Sequence, residues 1–105
     1  MIKLVAMSDL HGQFPENIPT CDLLVIGGDV CPDSFGPWYA QEYPEIQLEW
    51  FEKFFIPWVE DQPAEFVAIT WGNHDWCGHL KPNAEYGKKT SVISGTFLKA
   101  WPRDI

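Results

Sequence analysis

Three short apolar runs occur along the chain, and each is followed at once by polar residues and glycine. They span Ile2 to Met7, Leu23 to Ile26, and Phe66 to Thr70. Near-continuous hydrophobicity over so few residues is typical of strands that are covered on both faces in a largely parallel sheet. Short buried helices can have the same pattern, but the flanking Gly, Pro and Asp residues favour strands.

The segment from Glu45 to Glu60 has a different period. Its large apolar residues recur at spacings of three and four, which predicts one apolar stripe along a helix. These residues are Ile46, Trp50, Phe51, Phe54, Phe55 and Trp58. Pro44 suits the first helical turn, whereas Pro57 is expected to kink or close the helix near its last turn. We expect this helix to be the crossover between the second and third strands, with its aromatic stripe in the core.

The remaining segments carry weaker patterns. Residues 33–43 and 81–89 contain Pro, Gly and polar residues and are predicted to be loops, while residues 90–98 could hold one or two strands. No repeat, low-complexity tract or long linker interrupts the chain. The sequence therefore predicts a single α/β domain over residues 1–105.

The composition narrows the classes of partner. The chain has seven basic and fifteen acidic residues, which give a formal charge of −8. This charge argues against a basic nucleic-acid-binding patch and against docking on anionic membranes. An acidic protein can still act on phosphate esters if a metal held by its carboxylates supplies positive charge. Three cysteines without a C-x-x-C pair favour a reducing compartment, and no signal peptide or membrane span is evident. We expect a soluble, cytoplasmic protein.

Metal-compatible side chains follow the first two predicted strands. The first run ends in Asp9 and His11, two residues apart, so that their side chains can converge in an extended segment. The second ends in a pair of glycines and Asp29, and the glycines allow a sharp turn and close approach of a ligand. A carboxylate and imidazole together suit Zn, Mn or Fe better than Ca or Mg.

The third run ends in Asn73, His74 and Asp75. An amide oxygen can ligate a metal, an imidazole can transfer a proton, and Asp75 could fix the orientation of His74. Each motif alone is better explained by an ordinary polar turn. Because the carboxyl ends of parallel strands meet at one edge of a sheet, the three together predict one site.

In this order and spacing the motifs resemble the N-terminal signature of the calcineurin-like metallophosphoesterases. The matching segments are Asp9-x-His11, Gly28-Asp29 and Gly72-Asn73-His74-Asp75. The resemblance implies a sandwich of packed β-sheets flanked by helices, and hydrolysis of a phosphomonoester or phosphodiester with two divalent ions. It also implies that Asp9 and His11 bind the first ion, that Asp29 bridges both, and that Asn73 binds the second.

The resemblance further implies that His74 protonates the leaving group, with support from Asp75. The family pattern then continues with a downstream histidine and a Gly-His-x-His segment, whereas here only His79 follows His74. Cys77 and His79 lie too near Asn73 along the chain to reach the far side of two ions. The chain is therefore expected to hold the front half of the fold, with self-association or a partner chain to complete it. It is expected to bind either the two divalent ions of the family or only one of them.

Two functions remain open on these residues. The first is a metal-dependent phosphoesterase; the alternative is a non-catalytic metal-binding or interaction module derived from the same fold. A nucleotide-binding domain is disfavoured because neither Gly-x-Gly-x-x-Gly nor Gly-Lys-Ser/Thr follows any strand. Four aromatic residues could line the cleft or lie in the core: Trp38, Tyr39, Trp71 and Trp76.

Overall fold

The computed structural model of the chain describes residues 2–94. A five-stranded mixed sheet and one long helical segment form its core. The strands of the sheet are β1 (Leu4–Met7), β2 (Cys21–Gly27), β5 (Ala64–Thr70), β6 (Ala84–Tyr86) and β7 (Thr90–Val92). A separate two-stranded hairpin consists of β3 (Ser34–Phe35) and β4 (Trp38–Tyr39).

The strand order is β1-β2-β5-β7-β6, with the first four strands parallel and β6 antiparallel to β7. The three strands predicted from the apolar runs are confirmed as β1, β2 and β5, and their parallel pairing brings their carboxyl ends to one edge. The strand predicted within residues 90–98 is β7, and the rest of that range from residue 95 lies outside the described residues. The prediction of two loops is incomplete, because residues 33–43 contain the β3–β4 hairpin and residues 81–89 contain strand β6.

The helical segment crosses from β2 to β5, as predicted. It begins with α1 (Pro44–Trp50), continues as a π-helical turn (Phe51–Phe55), and ends with α2 (Ile56–Glu60). Pro44 is in the first turn of α1 and Pro57 is in the first turn of α2. The helix is therefore irregular just before Pro57, where the sequence predicted a kink or an end.

The buried face of the helix differs from the predicted stripe. Gln47, Phe51, Phe55 and Val59 are fully buried, whereas Phe54 is 59% exposed. Steps of four residues overshoot a helical turn of about 3.6 residues, and the wider π-helical turn absorbs the overshoot, so that these positions stay on one face. Burial of Phe54, which the α-helical period predicted, is wrong for this reason.

The helix covers one face of the sheet. Paired positions on β2 and β5, including Leu24 beside Val67 and Ile26 beside Ile69, point into the core that contains Phe55. On the other face, exposed apolar side chains include Leu4, at 54%. The mixed α/β architecture is thus confirmed, while a second large sheet packed on the first is not among the elements of residues 2–94. Within those residues no helix is long and apolar enough to span a membrane.

Candidate functional site

The loops after β1 and β2 run side by side at the carboxyl edge of the sheet. The backbone N–H of Asp9 donates to the carbonyl of Gly28 (3.0 Å), and that of His11 donates to the carbonyl of Asp29 (2.9 Å). Asp9, His11 and Asp29 all have left-handed backbone conformations, with φ of 57°, 47° and 51°. The sharp turns at these positions bring side chains from two loops to one place.

Asp9, His11 and Asp29 form a group that could hold a metal ion. One ligand atom from each lies within 4.8 Å of the ligand atoms of the other two. Asp9 and His11 are exposed and Asp29 is half-buried, so that an ion could reach them from solvent. Two carboxylates and one imidazole fit a divalent ion such as Mn, Fe or Zn. These side chains therefore converge, but through left-handed turns and not in the extended segment that the sequence predicted for Asp9 and His11. Binding of an ion by them stays a prediction.

The loop after β5 closes on Asp29 from the other side. The backbone N–H of His74 donates to Oδ1 of Asp29 (2.8 Å). A Cβ atom at Gly72 would overlap the backbone nitrogen and the carboxylate of Asp29, so this position requires glycine. The glycine of the third motif thus allows the close approach of the second and third loops.

The His74 imidazole lies beside a carboxylate that the sequence reasoning missed. Its Nδ1 is 3.3 Å from both carboxylate oxygens of Asp33, and its ring stacks on Trp76 with centroids 5.2 Å apart. Asp33 Oδ1 is also 3.5 Å from Nδ1 of His11. Asp33 therefore lies between the two imidazoles. The available sequence signal was an acidic residue in the same loop as Asp29, four positions further on.

Asp75 has different partners from those predicted. Its carboxylate is buried and accepts hydrogen bonds from the backbone N–H groups of Val30 (3.1 Å), Cys31 (3.0 Å) and Gly72 (2.8 Å). The prediction that Asp75 orients the His74 ring is therefore corrected, because these inward-facing amides occupy its oxygens. Burial raises the pKa of Asp75, and the three amide donors oppose that rise.

A buried glutamine joins the helix to the same loops. The side-chain amide of Gln47 donates to the carbonyls of Pro32 (3.1 Å) and His74 (2.9 Å), and its oxygen accepts the N–H of Cys77 (2.9 Å). All polar atoms of this buried side chain are thus paired, as burial requires. Gln47 therefore ties α1 to the loops after β2 and β5.

The cysteines near the site face the core. Cys31 and Cys77 are fully buried, with their sulfur atoms 4.0 Å apart. The hydrogen bond with Cys77 and burial hold the pKa of Cys31 well above its ordinary value. Among the described residues, neither Cys77 nor the exposed His79 belongs to a cluster that could hold a metal ion. Neither therefore substitutes for the downstream ligands of the family pattern.

Asn73 is exposed at the rim of a cleft of about 390 Å³. The lining of this cleft includes Trp71, Trp76 and His79. The other two aromatic candidates from the sequence lie in the exposed hairpin and are not among the lining residues described. Asn73 and the shared Asp29 are the residues predicted to bind a second ion, and that binding stays a prediction.

Comparison with known proteins gives one family match. Residues 2–103 match the calcineurin-like phosphoesterase family. A 77-residue stretch is 30% identical to the periplasmic oligopeptide-binding protein OppA of Escherichia coli (strain K12), covering 69% of this chain. The chain spans only 14% of the length of that protein, so its peptide binding is not transferred. No solved structure matches the chain. Since the family match covers nearly the whole sequence and includes every motif of the site, the chain belongs to the calcineurin-like phosphoesterase family.

Proposed function

We propose that this chain is a metal-dependent phosphoesterase that hydrolyses a phosphomonoester or phosphodiester with a metal-activated water. The observation that carries the proposal is the convergence of Asp9, His11 and Asp29 beside the half-exposed His74 on three adjoining loops. Ligands for a cation and a group able to transfer a proton are the two requirements of this reaction.

Asp9, His11 and Asp29 would hold the first divalent ion, and Asp29 with Asn73 would contribute to a second. A divalent ion bound there supplies Lewis acidity toward the phosphoryl oxygens and makes the attacking water more acidic. The left-handed turns hold the three ligands before an ion arrives. The close packing of Gly72 on Asp29 keeps the carboxylate from moving away.

His74 would deliver a proton to the leaving oxygen. Its ring is 49% exposed, which leaves it accessible to a substrate, and stacking on Trp76 restricts its rotation. If Nδ1 donates to the Asp33 carboxylate, Nε2 is the atom left to exchange a proton with the leaving group. Asp33 then takes the positioning role that the sequence had suggested for Asp75.

Metal titration calorimetry of an Asp29→Asn variant with manganese tests the assignment of the ligands. Removing a carboxylate that serves both ions should weaken binding at least about tenfold, since even outer-shell ligands change affinity by that much. A His79→Ala variant is the control, because this exposed imidazole lies outside the ligand cluster. Unchanged manganese binding by Asp29→Asn would show that this residue is only part of a turn.

The role of His74 is tested with two substrates that differ in leaving group. His74→Ala should slow hydrolysis of an ester with a poor leaving group far more than that of an activated aryl ester, while manganese affinity changes little. Equal losses with both substrates would contradict proton delivery by His74.

A non-catalytic metal-binding module is the second candidate. It is favoured by the small number of described ligands for a second ion, which are Asp29 and Asn73. Manganese stoichiometry and turnover of an aryl phosphate by the 105-residue chain separate the two functions. Two ions with turnover support the enzyme, whereas one ion without turnover supports the module.

A further inference from the structure

We propose that His11, Asp33 and His74 form a separate binding site for a zinc-like divalent ion, in competition with the site of Asp9, His11 and Asp29. The two sites share His11. A neutral imidazole offers one ring nitrogen as a ligand, so that His11 serves one ion at a time. The ion held by the first trio would therefore exclude an ion from the second.

The two distances from Asp33 to the imidazoles are close to the spacing of ligands around a tetrahedral ion. Nitrogen or oxygen ligands at about 2.0–2.1 Å from zinc are separated from one another by about 3.3–3.4 Å in tetrahedral geometry. Asp33 Oδ1 lies 3.3 Å from Nδ1 of His74 and 3.5 Å from Nδ1 of His11. Charge-assisted hydrogen bonds are shorter, about 2.7–2.9 Å. One ligand atom of each residue also lies within 4.8 Å of the other two.

The donor set distinguishes this site from its neighbour. Two imidazoles and one carboxylate, with a fourth position left for water, favour zinc. The neighbouring site has one imidazole and two carboxylates, which is a harder donor set and more suited to manganese. The side chains of His11, Asp33 and His74 are 40%, 51% and 49% exposed, so that an ion has direct access from solvent.

The three ligands are held from different elements before any ion binds. The N–H of His11 is bonded to the neighbouring loop, and the ring of His74 is stacked on Trp76. The carbonyl of Asp33 accepts the N–H of Ala40 (2.9 Å), which anchors it at the base of the hairpin. A site built from restrained side chains loses less conformational entropy when it binds.

Zinc in this site would inhibit the hydrolysis proposed above. This consequence rests on the proposed function, because the ion would occupy the imidazole of His74 and withdraw His11 from the catalytic cluster. Zinc binding itself does not depend on any activity of the chain.

Zinc calorimetry on the 105-residue chain tests the proposal with matched variants. His74→Ala and Asp33→Asn should each weaken zinc binding at least about tenfold. Asp9→Asn, which alters only the neighbouring site, should change zinc affinity far less than either of these variants. His79→Ala, which removes the remaining imidazole, should leave zinc affinity unchanged. Circular dichroism of each exposed-site variant checks that it is folded.

Cobalt absorption spectra provide a second measurement that does not require a change in affinity. Cobalt bound to the wild-type chain should show the intense visible bands of a tetrahedral site. These bands should persist in Asp9→Asn and disappear in His74→Ala. Zinc affinity that falls in Asp9→Asn but not in His74→Ala would overturn the proposal, as would the absence of zinc binding to the wild-type chain. Neither result would bear on manganese binding or turnover, which test the proposed function.

Discussion

Replacing Asp75 with asparagine tests whether this buried carboxylate holds the loops after β2 and β5 together. Its two oxygens accept three backbone N–H groups: Oδ1 that of Cys31, and Oδ2 those of Val30 and Gly72. Asparagine has nearly the same shape but offers only one acceptor oxygen. Its amide nitrogen must face at least one of the three donors, and that donor then loses its partner.

The cost follows from the least disruptive orientation of the amide. If the oxygen keeps Val30 and Gly72, the N–H of Cys31, a fully buried residue, is left unpaired. Loss of a hydrogen bond to a charged group costs about 1.5–3 kcal/mol. The two remaining hydrogen bonds also weaken, because asparagine carries no charge. Burial of the charged carboxylate is itself unfavourable, as the raised pKa of Asp75 shows, so removing the charge offsets part of this destabilisation. We expect Asp75→Asn to lower the free energy of unfolding by about 2–3 kcal/mol.

Urea denaturation at neutral pH, followed by tryptophan fluorescence, measures this change. Asp61→Asn is the matched control, since this exposed carboxylate at the end of α2 should change stability by less than about 0.5 kcal/mol. Manganese affinity should also fall in Asp75→Asn, because the loop that carries Asp29 loses an anchor. If the Asp75 variant unfolds within about 0.5 kcal/mol of the wild type, the carboxylate is not the link between the loops.

Three further substitutions address the fold. Gly72→Ala should destabilise the chain by about 1–3 kcal/mol in urea denaturation and weaken manganese binding, because the new Cβ overlaps Asp29 in the loop after β2. Gly27→Ala is the control in the same assay, since there is room for a Cβ at that position. Phe55→Ala should cost about 3–5 kcal/mol in urea denaturation, while the exposed Phe54→Ala should cost far less. Hydrogen bonds from Lys81 and Tyr86 lower the pKa of Glu52 below its ordinary 4.5. These bonds therefore stabilise the fold fully above pH 4.5, and their contribution is lost as the pH falls through the lowered pKa. Glu52→Gln should therefore be less stable by up to about 1 kcal/mol at neutral pH and equal to the wild type in acid, as measured by denaturation across pH.

The sequence predicted what depends on local pattern. Apolar runs placed three parallel strands, and the polar residues at their ends placed Asp9, His11 and Asp29 near one another. The position of Asp33 could not be predicted, because it depends on the path of a loop that folds back into a hairpin. Similarly, the direction of the Asp75 side chain is decided by unpaired backbone amides of a loop distant in sequence. Such tertiary hydrogen bonds have no signature in the spacing of residues.

The helix shows the same limit in another form. Its existence and its role as a crossover follow from its period, but the choice between Phe54 and Phe55 for the core depends on a π-helical turn. Gln47 is fully buried, although glutamine is mostly an exposed residue type, so its position has no signature in the sequence. Its burial is explained only by the carbonyl and amide groups that two loops present to it.

The left-handed conformations of Asp9, His11 and Asp29 lower the stability of the fold at the site that we propose binds metal. A non-glycine residue held in this conformation costs up to about 1–2 kcal/mol, and aspartate tolerates it better than most. Three of them together use a considerable share of the roughly 5–15 kcal/mol by which a domain of this kind is stable. Glycine at these positions would relieve the strain but would each time remove one of the proposed metal ligands. If these residues are retained for the proposed metal site, descendants of this chain that no longer bind metal would gain stability as they lost them.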